Sequence, residues 1–527
     1  MTGDQRIAKW TISSHQVSGW INVFALPFRS FEAFGIKGDH VRSQIDRKPN
    51  PVPKPPRPPG WKVRLKGMAL KQIQALTFDD YQLRGQGIVR GSLEFQVRGE
   101  VNLEHLEAAF QEALLTQNTN TIAILREVKA SGGMKPFALG SVSKNHLMDL
   151  LTAAVHLNAD VTSLRFLDPF LARSPWLKLS GGGTLLGDIK VVEGILGQGS
   201  KLELLRGDLQ AQYLESVALG DASLALEVSP NSKDPQLILT ATISPFQILG
   251  VEGEPYLFGN NFQLKATSQN LHLSKPFDDL IAVVDIPESR IPDIMEYNAY
   301  FPKNATFAVT SGSGRLAGKF HFETQSKKGT AFIDIWGDQV SATMDQNPLT
   351  GDFHLNAQLE TKDLLAKNFS IAGSQLSLKN IHTSSDPEEK PWFGEMVVES
   401  GQILLQRPLS VNAEMRLALR NSAPFVAIMA RKKRVVDWAS DFLTVQNLIG
   451  TGRLRFASDT IAIQPFEIQG EKVEILGQLQ FRQHTAHGQM FIRFRGINLG
   501  IDIQKGERDY KLLRPRKWYQ AQIKPPE

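Results

Sequence analysis

Residues 179–194 read LSGGGTLLGDIKVVEG, a stretch in which three consecutive glycines precede a fourth at Gly187. Three residues separate Gly183 from Gly187, whereas a dinucleotide-binding fingerprint needs two, and the chain has no Gly-Lys-Ser/Thr triplet of a P-loop. The residues after Gly187, DIKVV, alternate polar and apolar side chains and include β-branched residues. The pattern therefore predicts a β-strand and not a phosphate-binding loop at the start of a helix.

The same glycine spacing returns in three other segments. Residues 85–97 read GQGIVRGSLEFQV, residues 312–324 read GSGRLAGKFHFET, and residues 450–456 read GTGRLRF. Every second residue of a strand shares a face. One face, called the apolar face below, carries glycines at Gly85, Gly87, Gly91, Gly181, Gly183, Gly187, Gly312, Gly314 and Gly318, and apolar side chains at Val89, Leu93, Phe95, Val97, Leu185, Ile189, Val191, Leu316, Phe320, Phe322, Leu454 and Phe456. The opposite face carries charged residues such as Arg90, Glu94, Arg315, Lys319 and Arg453.

Glycine on the apolar face of a strand permits sharp curvature of the sheet or close approach of another body. Two interpretations follow. The face lines an open trough, or the sheet is kinked by its glycines and closes on its own core.

Composition bounds the class of protein. Of the 527 residues, 42% are hydrophobic and 21% are charged, which excludes wholesale disorder. The net charge is +5, and Lys and Arg mostly alternate with Gln, Glu and Ser, so nucleic acid is not a predicted partner. The absence of cysteine excludes disulfides, thiolate catalysis and Cys-bearing zinc sites.

Turn residues punctuate short alternating runs over most of the chain, which predicts a mainly β protein. The segments are an N-terminal β segment (1–48), a proline-rich linker or loop (49–60), strands with a helical insertion (61–174), β repeats (175–423), an amphipathic helix (424–447) and a C-terminal β segment (448–527).

Helices are predicted where apolar spacing changes. The insertion, at about 102–157, contains a helix at 102–128, in which Leu103, Leu106, Phe110 and Leu114 recur at helical spacing, and a second at 144–157. A helical or irregular break is expected near 275–298. The segment PFVAIMARKKRVVDWASDFLTV, from residue 424, is amphipathic and basic, and it either docks by its apolar face or lies on an anionic membrane.

Motifs for chemistry are scarce. His484 and His487 lack an acidic third ligand, and Asp79 and Asp80 are adjacent and would face opposite ways on a strand. The chain has no Gly-x-Ser-x-Gly and no His-Glu-x-x-His. We therefore predict no catalytic residue, no metal and no cofactor.

The combination of motifs resembles the bacterial AsmA-like family, relatives of the TamB-type and bridge-like lipid-transfer proteins. The likeness lies in residues 181–191 and 312–322, in the segment 424–452 that begins Pro-Phe, and in the terminal block 488–506. It implies an elongated, curved, taco-like antiparallel β-groove with an apolar interior, and a few amphipathic helices as insertions and caps.

The resemblance also implies a function. Such a protein is a non-enzymatic periplasmic protein associated with the inner membrane, and its groove binds or conducts phospholipid between membranes in outer-membrane biogenesis. Its partners are phospholipid or another acyl-chain ligand, the membrane surface and other envelope proteins. Family members carry an N-terminal anchor. Since this sequence is strand-like from KWTISS onward and has no apolar run of about eighteen residues, we expect the chain to lack that anchor.

The physics of lipid transfer fits an apolar trough. A two-chain lipid crossing water exposes about 30 methylene groups at roughly 0.8 kcal/mol each, or about 25 kcal/mol in total. A continuous apolar surface removes most of that barrier. Two alternatives stay open: a scaffold that assists assembly or export of β-rich outer-membrane proteins through strand edges, and a glycan-acting β-rich module, which would need clustered tryptophans where the eight Trp here are scattered.

Overall fold

The computed structural model of the chain describes residues 2–4, 8–47, 60–78, 81–96, 100–117, 120–138, 148–164, 177–213, 216–230, 233–250, 253–273, 279–301, 307–344, 347–382, 391–421, 446–457, 460–482, 485–505 and 507–523. These residues form 30 strands of one hydrogen-bonded sheet, together with a few short helices. The mainly β class predicted from the alternating runs is confirmed.

The bounds of the elements follow the chain in order. The strands up to residue 268 are β1 (Thr2–Asp4), β2 (Ala8–Ser13), β3 (Gln16–Asn22), β4 (Ser30–Arg47), β5 (Lys62–Phe78), β6 (Tyr81–Gln96), β7 (Glu100–Gln117), β8 (Asn120–Ala138), β9 (Leu151–Val161), β10 (Leu177–Val192), β11 (Ile195–Leu196), β12 (Lys201–Tyr213), β13 (Ser216–Val228), β14 (Leu237–Leu249), β15 (Pro255–Gly259) and β16 (Phe262–Ser268). The later strands are β17 (Ile281–Ile291), β18 (Phe307–Glu323), β19 (Gly329–Met344), β20 (Asn347–Thr361), β21 (Asn368–Ser370), β22 (Gln375–His382), β23 (Trp392–Leu404), β24 (Ser410–Asn421), β25 (Gln446–Ala457), β26 (Thr460–Gly470), β27 (Val473–Arg482), β28 (Thr485–Phe494), β29 (Ile497–Gln504) and β30 (Glu507–Lys511). The described helices are α1 (Pro515–Gln522) and the 3-10 helices Val23–Phe28, Met148–Leu150, Ile294–Tyr300 and Leu364–Ala366.

The chain divides into two compact units, Met1–Phe246 with Gln263–Ala282, and Gln247–Phe262 with Val283–Glu527. In the first unit, β2 and β3 pair with successive parts of β4, and β4 runs parallel to β5. From β5 to β10 each strand pairs antiparallel with the next. In the second unit, the described ladders β18–β19–β20 and β22 through β30 have the same sequential antiparallel order. Short connections suffice for such pairs.

The four glycine-containing segments lie in strands, as their alternation predicts: β6, β10, β18 and β25. In β10, Leu185 and Val191 are buried, whereas Asp188 and Lys190 are exposed. The same alternation runs through β18 from Gly314 to Phe322. The prediction that these four segments form β-strands is therefore confirmed, and parts of β10 and β18 show the expected alternation of burial.

Bulges interrupt this alternation elsewhere. Gly35 in β4 and Gly67 in β5 both have a left-handed backbone (φ +58° and +60°), and the β5–β6 register shifts between Leu65 and Met68. One extra residue in a strand moves every following side chain to the other face. Residues of equal parity on the two sides of a bulge therefore do not share a face.

The helix predicted at residues 102–128 is wrong, because these residues lie in β7 and β8 apart from 118–119, which are outside the described chain. The β6–β7 register shifts between Gln86 and Gly87. Phe110 and Ala113 are consequently both buried although three residues separate their positions in the chain. A bulged strand thus reproduces the spacing at which apolar residues recur on a helix.

Two further predictions differ from the structure, the first in kind and the second in extent. The helix predicted at 144–157 is wrong where the chain is described, because a single 3-10 turn at Met148–Leu150 leads directly into β9. The break expected near 275–298 contains the strand β17 and only then the 3-10 helix Ile294–Tyr300.

The last strands are covered on both sides. One side carries a cluster of buried side chains from β25 to β29: Leu448, Phe466, Ile468, Val473, Ile475, Leu479, Met490, Ile492, Phe494, Leu499, Ile501 and Ile503. On the other side lies α1, which the sequence analysis missed. Tyr519 of α1 is buried, and the Arg516 guanidinium lies 3.2 Å from a Glu474 carboxylate oxygen and 5.7 Å from the centroid of the Phe491 ring. The alternation of β27 to β29 therefore separates a core face from a helix-covered face.

Two predicted segments fall almost entirely outside the described residues. They are the proline-rich linker, of which only Gly60 is described, and the amphipathic helix at 424–447, of which only Gln446 and Asn447 are described, as the start of β25. Asp79, Asp80 and His484 also lie outside.

Candidate functional site

The apolar face contains two kinds of side chain. Among its predicted members, Leu185, Val191, Phe322 and Phe456 are buried, with exposed fractions between 4% and 8%. A second set is half-buried: Val89, Leu93, Ile189, Leu316, Phe320 and Leu454. Phe95 lies in β6, but the placement of its side chain and the whole of Val97 lie outside the described structure.

Aromatic rings connect neighbouring positions of this face in the second unit. The rings of Phe320 and Phe322 stack with centroids 6.3 Å apart, as expected for alternate residues on one side of β18. The Phe456 ring meets that of Phe301 edge-on, at 6.2 Å between centroids. Part of the face is therefore packed by this chain's own rings.

The glycines of the face make room for neighbouring strands. At all nine predicted glycine positions, an added Cβ would come within 3.1 Å of another atom of the protein. At Gly181 that Cβ would overlap the carbonyl oxygen of Asp208, and the β10–β12 register shifts between Gly182 and Thr184. The glycines thus permit bulges and close approach of strands, and the space in front of them is already occupied.

The buried cluster of β25 to β29 marks a part of the second unit that is filled by protein. Its twelve residues are exposed by at most 8%. The half-buried side chains on β6, β10 and β18, and Leu454 on β25, are the part of the apolar face that keeps accessible apolar area.

The opposite face carries ladders of cross-strand ion pairs. In the first unit, the Arg64 Nη1 lies 2.6 Å from a Glu32 oxygen, and its Nε lies 2.9 Å from a Glu94 oxygen. Lys62 Nζ approaches the other Glu94 oxygen at 2.6 Å. These contacts join β4, β5 and β6 on the side away from the apolar face.

The second unit repeats the arrangement. Arg416 pairs with Glu399 across β24 and β23, and Arg453 pairs with Glu414 across β25 and β24, each at 2.6 Å. Exposed pairs of this kind add little stability individually, but they define a water-facing surface. The sequence assignment of one polar and one apolar face is consistent with these contacts.

The ion pairs shift the acid–base equilibria of the polar face. The pKa of Glu32 is lowered by hydrogen bonds from Asn22 and Arg64. The hydrogen bond from Lys62 is the largest influence on the pKa of Glu94 and lowers it. Burial acts in the opposite direction, and the contact with Arg64 lowers the pKa further. Both carboxylates therefore remain ionised at neutral pH.

A depression of about 430 Å³ also lies on the polar face, bordered by Ser370, Gln402 and Asn412 and by the ion pair Glu414–Arg453. Its charged side chains are already paired with each other. This arrangement gives no acid–base or nucleophilic group an evident role.

The sequence analysis missed a strongly exposed apolar surface at β3 and the following 3-10 helix. Its members, Val17, Trp20, Ile21, Val23, Phe24 and Phe28, are exposed by 55% to 84%. A signal was available, because residues 16–28 contain no Asp, Glu, Lys or Arg. Contiguous exposed apolar groups of this kind are typical of interaction surfaces.

Comparison with known proteins leaves the family open, since no protein-family model and no curated protein matches the chain. In the described part of the chain, no helix combines the length and apolar character needed to span a bilayer. The described residues also contain no group of three or more His, Asp or Glu placed to hold a metal ion.

Proposed function

We propose that the half-buried apolar face binds the acyl chains of phospholipid and that the protein carries or conducts phospholipid between membranes of the cell envelope. The observation that supports this is the separation of faces. Val89, Leu93, Leu316 and Phe320 retain accessible apolar area on one side, while ion-pair ladders such as Glu32–Arg64–Glu94 occupy the other.

Energetics favours an acyl chain as the occupant. A methylene group gains roughly 0.8 kcal/mol when it leaves water for an apolar surface, without any directional contact. Within each unit, half-buried side chains such as Val89 and Leu93, or Leu316 and Phe320, offer such contact, and they carry no directional groups that would select one headgroup. The proposed function is accordingly non-enzymatic, and the proposed location is the periplasm, in association with the inner membrane.

Lipid analysis of the purified protein tests this proposal. The protein is expressed in its envelope setting, purified in mild detergent, exchanged to detergent-free buffer and extracted, and the extract is examined by mass spectrometry. We expect phospholipid at about one molecule or more per chain. A detergent-free protein that is folded and lipid-free would contradict the proposal, and trapped β-rich outer-membrane proteins in place of lipid would favour the scaffold alternative.

A further inference from the structure

One end of the β29–β30 strand pair presents three exposed apolar side chains. Leu512 and Leu513, which follow β30, are exposed by 71% and 91%. Ile497, which begins the antiparallel partner β29 at the same end, is exposed by 60%. Single exposed apolar residues are ordinary, but three at one end of a strand pair form a distinct apolar tip.

Basic side chains surround this tip. Arg514 directly follows Leu513, and Lys517 lies on the first turns of α1; both are exposed, and neither makes an ion pair with a described residue. Arg495 lies in the turn before Ile497 and is exposed. Its backbone N–H donates to the carbonyl oxygen of Lys472 (3.1 Å), so the exposed Lys472 lies at the same end.

Among the residues that the structure describes at this end, basic groups outnumber acidic ones. Glu474 is the most buried acid nearby, and its carboxylate oxygens lie 3.0 Å from Arg493 and 3.2 Å from Arg516. Glu471 is exposed in the turn beside Lys472. The described side chains around the tip therefore carry a net positive charge.

The packing of α1 holds the two leucines outward. Pro515 and Tyr519 are buried, and the Trp518 ring lies over Gly500, where an added Cβ would come within 2.7 Å of it. Because the helix begins immediately after Arg514, the segment 512–514 spans two anchored elements and cannot fold back without undocking α1. Its apolar groups are thus presented without a large ordering cost.

We propose that this end of the second unit docks on a bilayer rich in anionic phospholipid. Leu512 and Leu513 enter the acyl region, and Arg514 and Lys517 contact headgroup phosphates. Charge complementarity and the apolar tip together select an anionic bilayer, because such surfaces attract basic residues while their interior accepts leucine. The inference deepens the proposed function, because a lipid carrier has to meet a membrane.

Sedimentation of the full chain with vesicles tests the inference. Vesicles of phosphatidylcholine alone are compared with vesicles that contain about one third phosphatidylglycerol, and we expect preferential binding to the anionic vesicles that weakens with added salt. Each basic residue is expected to contribute about fivefold to the affinity for anionic vesicles, so the double variant Arg514→Gln/Lys517→Gln should lower that affinity about 25-fold. Leu512→Ser/Leu513→Ser is expected to lower it at least about tenfold.

The matched control is Val192→Ser/Ile449→Ser, which removes two apolar side chains of similar exposure, 56% and 60%, from other strands. This variant is expected to bind like the original protein, and circular dichroism verifies the fold of all variants. Unchanged vesicle binding by both tip variants would overturn the inference. It would also be overturned if the original protein bound no vesicle and a tip variant lost self-association in analytical ultracentrifugation, because the tip would then be a contact between copies of the chain. Vesicle docking does not require lipid uptake, so a lipid-free protein that still docks would contradict only the proposed function.

Discussion

Replacement of Gly181 by alanine should destabilise the first unit by about 4 kcal/mol. Gly181 has φ +116°, which residues with a Cβ rarely adopt, and the new Cβ would overlap the Asp208 carbonyl oxygen. Backbone strain of this kind costs roughly 1–3 kcal/mol. The obstructing atom belongs to the backbone of β12, so no side-chain rotation relieves the overlap, and the forced shift adds about 1–3 kcal/mol.

Gly199→Ala separates the two contributions. Gly199 also has a positive φ (+75°), but an added Cβ there meets no atom within 4 Å, so only the conformational cost of about 1–2 kcal/mol remains. Urea unfolding followed by far-UV circular dichroism measures both variants. Equal losses of unfolding free energy in the two variants would refute the claim that close strand approach is what requires glycine in β10.

Three further outcomes are expected. Phe320→Asp should reduce co-purifying phospholipid severalfold while Lys319→Asp, its neighbour on the polar face, leaves the lipid content unchanged; equal effects would contradict the assignment of faces. Asp279 accepts hydrogen bonds from the Ser268 hydroxyl and from the backbone N–H groups of Gln269 and Asn270, and although burial opposes them, its pKa is lowered from 3.8. The stabilisation by the ionised Asp279 carboxylate is therefore present above pH 3.8 and is lost as the pH falls through the folded-state pKa. Asp279→Asn should lower the free energy of unfolding by about 1 kcal/mol at neutral pH and flatten the acid limb of a stability–pH curve. Burial raises the pKa of the Tyr519 hydroxyl to about 12. The stability that this group contributes is therefore full below pH 10 and falls as the pH approaches 12. Tyr519→Phe should abolish that alkaline loss of stability in thermal melts, and a loss that persists would show that α1 undocks for another reason.

Strand alternation predicts the local structure well where a strand is regular. In β10 from Leu185 to Val191, and in β18 from Gly314 to Phe322, the face of a side chain follows from parity, because burial forces apolar groups to one side of a pleated strand. Leu185 and Phe322 were assigned correctly to the apolar face in this way. Their burial, however, depends on neighbouring strands, so Asp at either position is expected to unfold the protein locally before it reports on binding.

The errors come from features that parity does not encode. The bulges of β7 imitate helical spacing, so the apolar residues from 102 to 128 predict the wrong element. The basic stretch before α1 has little apolar periodicity, and its helix depends on Pro515 at the first turn and on the contact of Tyr519 with the sheet. Whether an apolar residue lines an accessible surface or fills a core is decided by segments far away in sequence, as Phe301, at the end of a 3-10 helix, packs against Phe456.

Site-specific photo-crosslinking tests the central claim most directly. A benzophenone amino acid is placed at Phe320 on the apolar face and, in a separate variant, at Lys319 on the polar face, and irradiated protein is analysed by mass spectrometry for covalent phospholipid adducts. The account predicts adducts through acyl-chain carbons at position 320 and none at position 319. Equal labelling at both positions, or no lipid at position 320 in a folded protein, would contradict it.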